Sequence, residues 1–325
     1  MISLRFKIYD NTNLKFYFMT FYHYTSLEAL KGILKEKPTE NQELCFWATR
    51  YDCFEDTDEY LFGVDTLKRL LPTYEDKYNL QEDRRIAGFF EKDLIKRNVN
   101  LPYPYVISVS ARNDNDHMWE NYADHKKGVV LDLNIDAMFG KSNAATLYHI
   151  KQCLYEHIAT EDELMQEIEK TYTEGAVHLL QNGKENAFFF LKEYPQIFTK
   201  LIAIYLLAFF APRMKRKQFE KEEETRIILS VPPQEYAALK GIDDVKEVLK
   251  KSNMGFDIES VLKEIQNEKV RPDNGKLYRE AFMPISFLKY IYVLDDEVKE
   301  KAKKVLTDRG YNNIPVEVLS NLNTL

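Results

Sequence analysis

The sequence predicts an α+β fold: a single mixed, mostly antiparallel sheet with flanking helices and a helical insertion. Three observations carry this. Strand-like runs at 21–25, 44–49, 106–111 and 129–133 precede a nearly continuous helical stretch at about 160–212, and strand character returns at 222–231, 277–283 and 289–294. That order is irregular, unlike the regular alternation of parallel βαβ folds. Tyr and Phe are plentiful at 21 and 20, while Gly and Pro are scarce at 11 each, which suits long helices and well-filled sheets.

The elements follow in order. FYHYT reads as a strand that delivers His23 to its end, and Ser26 then caps a helix with Leu27, Leu30, Ile33 and Leu34 on one face. LCFWAT is a second strand, followed by an acidic loop over 52–58. Helical patterns cover about 57–71 and 81–98, and Pro102 and Pro104 punctuate the chain before the strand at 106–111. Residues 113–116 offer N-caps for a short helix carrying His117, Met118, Trp119 and Tyr122, and Gly128 turns the chain into the next strand. A strand near 146–155 precedes the long helical stretch, which ends at Pro212, and a polar helical segment at about 241–268 separates two of the late strands. The chain is read as one α+β domain over 1–325, with 1–18 an N-terminal extension and about 157–212 the insertion. Met19 stands directly before TFYHYTS, so a start at either methionine fits.

A length of 325 residues with 45% apolar and 30% charged residues is ordinary for a globular chain with a proper core. A net charge of −7 gives no general electrostatic footprint for nucleic acid. The basic cluster Arg213, Lys215, Arg216, Lys217 lies beside the acidic run 220–224, and the two are expected to pair in solvent. Cys45, Cys53 and Cys153 form no CxxC, which points to reduced thiols and a cytoplasmic location. The most hydrophobic stretch, 201–211, falls short of the ~18 residues of a membrane span, so no membrane partner is expected.

Candidate chemistry sits in three places. His23, two residues before Thr25, can hydrogen-bond a ribose without carrying charge, or be a satisfied structural histidine. Trp119 and Tyr122 share one face of a helix, either as core or as a stacking platform for a planar ring. In a strand, Glu222, Glu224 and Arg226 project to one face, where Arg226 could hold Glu224 by a two-pronged hydrogen bond and leave the other carboxylate free. The acidic loop (Asp52, Glu55, Asp56, Asp58, Glu59) lacks the ordered spacing and glycine of a calcium loop and reads as solvated acid. No P-loop, GxGxxG, GxSxG or HExxH is present.

Taken in order, FYHYTSLEALKGIL, ELCFWATRYDCFEDTDE, VISVSARNDNDHMWENYADHKKGVVLDL, KQFEKEEETRIIL and REAFMPISFLKYIYV resemble the family catalogued as domain of unknown function 2971, over about 21–294. The acidic loop departs from the Asn-Asp-Pro-like turn that the resemblance implies. A more distant similarity is to ADP-ribosyltransferases, through an early His-x-Thr strand, a central aromatic on a helix and a late strand glutamate. That similarity implies NAD as substrate and no metal. His23 and Thr25 would hold a ribose or the amide, with Tyr122 or Trp119 flanking the nicotinamide. Glu224 would be catalytic, Glu222 would orient the acceptor, and Arg226 or Arg50 would lie near a phosphate. A carboxylate beside the sugar would stabilise the positive charge left when nicotinamide departs.

Three functional classes follow. The first is a mono-ADP-ribosyltransferase or NAD glycohydrolase, a toxin or phage-defence effector, with the protein or nucleic-acid acceptor left open. The second is a metal-dependent nuclease or phosphoesterase using Asp52, Glu55, Glu222 and Glu224. The third is a non-enzymatic interaction or sensor module, in which Glu222 and Arg226 form a salt bridge on a sheet. The enzyme reading expects His23, Tyr122 and Glu224 to converge on one nucleotide-sized cavity.

Overall fold

The computed structural model describes residues 20–35, 43–54, 56, 58–82, 85–90, 103–138, 148–156, 160–181, 195–231, 268–271, 275–320 and 322. The expected N-terminal extension, most of the expected helix at 241–268 and the end of the one at 81–98 lie outside these residues. Twelve strands are described: β1 Thr20–Thr25, β2 Glu43–Arg50, β3 Tyr103–Ser110, β4 Val129–Asn134, β5 Tyr148–Gln152, β6 Leu154–Tyr155, β7 Met214–Lys215, β8 Glu224–Val231, β9 Glu268–Val270, β10 Leu277–Pro284, β11 Leu288–Val293 and β12 Val316–Val318. The helices are α1 Leu27–Ile33, α2 Glu59–Lys77, α3 Asp116–Tyr122, α4 Ile135–Met138, α5 Glu161–Gln181, α6 Pro195–Phe209 and α7 Asp296–Arg309.

Ten of the strands form one sheet in the order β12-β11-β4-β1-β3-β2-β10-β9, with β8 also on β3 and β5 on β8. All its pairings are antiparallel except β11 with β12, so the fold is α+β with a mixed, mostly antiparallel sheet. The branch has a geometric cause. β8 runs along the whole of β3, from Tyr103 to Ser110, and fills one edge. The other edge is shared: β2 pairs at Tyr105 and Val106, and β1 only at Ser110.

Opposed partners in a ladder project to the same face, and successive residues project to opposite faces. One face carries Phe21, Phe46, Ala48, Ile107, Val109, Leu131, Leu133, Ile227 and Leu229, all buried in the main core under α1 and α7. Ser26 caps α1 through Ala29 N at 3.0 Å, and Asp295 caps α7 through Val298 N at 2.7 Å. On the other face, Val106 and Ile228 pack against Tyr205, Ala208 and Phe209 of α6. Beyond α6 lies a second core joining α2, α5 and α6 through Val64, Leu67, Leu71, Ile168, Ile202 and Leu206. The helical layer therefore includes α2 as well as the expected insertion.

Two local readings are corrected. The helix expected at 57–71 runs over Glu59–Lys77, carrying Pro72 inside it. The strand expected from 222 starts at Glu224; residues Lys217–Glu222 form a 3-10 turn that ends on Glu223 in the left-handed region at φ 44°.

Candidate functional site

Glu59, Glu222, Glu224, Lys215 and Arg226 converge where β8 begins. Glu224 is 2% exposed. Its Oε1 accepts from Arg226 Nε at 3.0 Å, and its Oε2 accepts from a second guanidinium nitrogen at 3.0 Å and from Lys215 Nζ at 2.7 Å. The two-pronged Arg226–Glu224 pair expected from the strand is thus formed. Lys215 Nζ also donates to Glu222 Oε2 at 2.5 Å and lies 3.6 Å from Glu59 Oε2. Arg226 donates to Glu59 Oε1 at 2.5 Å and to the carbonyl of Pro212. Three buried carboxylates are interleaved with two buried cations.

Four elements deliver the five members, Glu224 and Arg226 both coming from β8. Glu59 is the first residue of α2, where helix N-terminal N–H groups favour an anion. Lys215 ends β7, which follows α6 by way of the Ala211–Arg213 turn. The left-handed Glu223 breaks the strand alternation, yet Glu222 and Glu224 both still reach Lys215. Phe54 and Phe219 shield the cations, with ring centroids 5.1 Å from the Arg226 guanidinium and 4.8 Å from Lys215 Nζ. Tyr155 Oη accepts from Glu224 N at 2.8 Å, and the Cys153 thiol lies 3.6 Å from Glu224 Oε2.

The electrostatics follow from burial and pairing. Burial pushes the Glu224 carboxyl up, but the charges and hydrogen bonds of Arg226 and Lys215 outweigh it and hold the pKa well below the usual carboxylate range. Burial lowers the Lys215 ammonium, and Glu224, Glu59 and Glu222 more than restore it, so it stays charged. Burial and then the charge of Glu224 push the Cys153 thiol far up, leaving it protonated.

The aromatic pair divides. Tyr122 is 42% exposed, and its hydroxyl donates to Glu222 Oε1 at 2.7 Å. Trp119 is fully buried, edge-on to Tyr24, and its indole N–H donates to the Asn113 carbonyl at 2.7 Å. It is core. Tyr122, Glu222, Glu224 and Arg226 come together as the sequence suggested.

His23, Thr25 and Arg50 do not join them, which corrects the expectation of one shared cavity. Tyr22 opposes Ser110, and Ser110 opposes Glu224, so Tyr22 and Glu224 share a face and His23 projects to the other. There the His23 ring meets Phe46 edge-on, and its Nδ1 lies 2.9 Å from the Ser108 carbonyl. A carbonyl can only accept, so Nδ1 carries the proton. Ser108 lies on the shared edge of β3 between the contacts of β1 and β2, and His23 fills that wedge. Burial lowers its pKa, partly offset by this bond, so the ring is a neutral structural histidine. Thr25 is buried opposite Val129. Arg50 is buried against Asp52 at 2.7 Å and Glu268 at 3.1 Å.

The acidic loop is largely engaged with arginines: Asp52 with Arg50, and Asp56 with Arg216. Glu55 lies outside the described residues. Among the described residues no group of three or more His, Cys, Asp or Glu is arranged to hold a metal ion. The basic cluster is less solvated than expected, because Arg213 is buried on the Gln152 carbonyl and Glu167, and Lys215 lies inside the ion cluster. A surface hollow of about 560 Å³ beside it is lined by Glu156, Arg216, Lys217, Gln218, Glu220 and Lys221. Sequence reasoning missed the joining of Glu59 and Lys215, whose only signals were membership of an acidic and a basic run.

Fold and site together define an α+β protein whose sheet is joined to a helical layer by a buried ion cluster. Residues 118–227 match the model of the family described as Protein of unknown function (DUF2971). The family resemblance is borne out over that span, which holds Tyr122, Lys215, Glu222, Glu224 and Arg226. Neither the curated proteins nor the solved structures compared with the chain gave a match. Among the described residues no helix is long and apolar enough to cross a membrane.

Proposed function

We propose that this chain is a binding or sensor module in which the ion cluster is a structural joint. The observation that carries this is the saturation of Glu224: both oxygens are taken by Arg226 and Lys215 in a site closed to solvent. A carboxylate that stabilises a developing charge needs a free oxygen facing the reacting atom. The joint ties the start of α2 and the turn after α6 to β8, so displacement of the helical layer is felt at the sheet.

A second reading keeps NAD cleavage. It is favoured by the exposed ring of Tyr122, held by Glu222 inside the span that matches the family. Incubating the purified chain with NAD and following free nicotinamide by proton NMR separates the two. The structural reading expects no release above the blank, and a lowered melting temperature for Glu224→Gln. Nicotinamide release that Glu222→Gln or Glu224→Gln abolishes, with the melting temperature held, would overturn it.

A further inference from the structure

The row that begins at Glu224 continues across the sheet through Ser110, Tyr22, Asp132 and Tyr290, each opposite the next on one face. Asp132 lies between two tyrosines in this row, and a third, Tyr292, opposes the neighbouring Val130. The rings of Tyr22 and Tyr292 are 6.2 Å apart at 57°, and those of Tyr290 and Tyr292 are 6.2 Å apart and stacked at 20°. Tyr290 is 38% exposed, whereas Asp132 is 6% exposed. The Tyr292 hydroxyl reaches Asp132 Oδ2 at 3.5 Å, a weak bond. Oδ1 is buried with no hydrogen-bond partner among the described residues.

A buried carboxylate oxygen without a donor is costly, and such sites hold a ligand, a proton or strain. Tyrosine rings present a negative face that attracts cations. We infer that this face binds a small organic ammonium ion, with Asp132 as counter-ion and Tyr22, Tyr290 and Tyr292 as aromatic walls. Oδ1 is itself closed to solvent, so the ammonium reaches it only when the exposed ring of Tyr290 moves aside. Among the described residues, Lys289, Glu317 and the Asp114–Arg112 pair bear on the site. Burial raises the Asp132 carboxyl, and the Lys289 charge and the Tyr292 hydroxyl offset this only in part. Glu317 adds negative charge near Tyr292, which favours a cation, whereas Asp114 near Tyr22 is already paired with Arg112 at 2.9 Å. The site lies apart from the ion cluster and does not rest on the reading proposed above.

Calorimetric titration of the full chain with n-butylammonium chloride and with Nα-acetyl-lysine methylamide tests this, against sodium chloride and n-butanol as controls. Saturable binding of the ammonium probes alone is expected. Tighter binding of the lysine amide assigns a peptide-borne lysine as the natural ligand, and tighter binding of n-butylammonium assigns a free amine. Asp132→Asn is expected to weaken binding by about tenfold or more while the ligand-free melting temperature is unchanged or higher. Tyr290→Leu, at an exposed ring, keeps the fold and weakens binding about threefold. Absence of saturable binding, equal binding of n-butanol, or undiminished binding by Asp132→Asn overturns the inference.

Discussion

Replacing Lys215 by Met removes the ammonium from among Glu59, Glu222 and Glu224 while keeping a side chain of similar length. Lys215 is 4% exposed, so water cannot readily take its place. Three carboxylates then face Arg226 as the cluster's remaining cation. Breaking a buried ion pair from one side costs about 3–5 kcal/mol. An unfolding entropy of ~2.1 cal/mol/K per residue over 325 residues turns this into a drop of about 4–7 °C in melting temperature. Urea unfolding followed by the fluorescence of Trp47 and Trp119, with thermal melts by circular dichroism, measures both. The loss is largest at pH 7 and shrinks in acid. The wild type then loses what ionised Glu224 contributes. A loss under about 1 kcal/mol at pH 7, the size of an exposed salt bridge, would refute the buried joint.

Two further predictions probe the frame around the site. A Cβ on Gly128 would stand 2.3 Å from the Thr25 carbonyl oxygen and 2.8 Å from the backbone of Ala123, so Gly128→Ala is expected to destabilise by about 1–3 kcal/mol; an unchanged melting temperature would contradict that close approach of the turn to β1. The lowered pKa of His23 means that its contribution is complete above the unfolded value of ~6.5 and is lost as pH falls toward the folded one. The wild type should therefore lose urea stability between pH 7 and pH 5 that His23→Gln, which keeps a donor for Ser108, does not; equal slopes would remove the neutral-wedge reading.

Much of the fold was legible because it is local. The Ser26 cap, the alternation in β8 and the apolar stripe of α1 are written within a few residues of one another. The left-handed Glu223 was not, because nothing in EKEEET marks a break in alternation; its effect is to bring Glu222 in from a turn and not along the strand. The helix α7 escaped notice because its buried stripe is only Val298, Ala302, Val305 and Leu306 in a strongly charged segment. The site was half legible. Arg226 and Glu224 are two residues apart, so strand geometry alone predicts their pair. Glu59 lies 167 residues from Arg226, and only the sheet's branch and the helical layer bring them together. His23 failed for the same reason: its face is set by the register of β1 on β3, which the sequence of β1 does not contain.

The buried joint requires Glu224 to be locked as an anion between Arg226 and Lys215. A carbon-13 NMR titration of its side-chain carboxyl, assigned by comparison with Glu224→Gln, reads this directly. The carboxyl should remain ionised down to the onset of acid unfolding, well below the ~4.3 of an ordinary glutamate. A resonance that titrates at or above the ordinary value would contradict it and return Glu224 to the catalytic candidates.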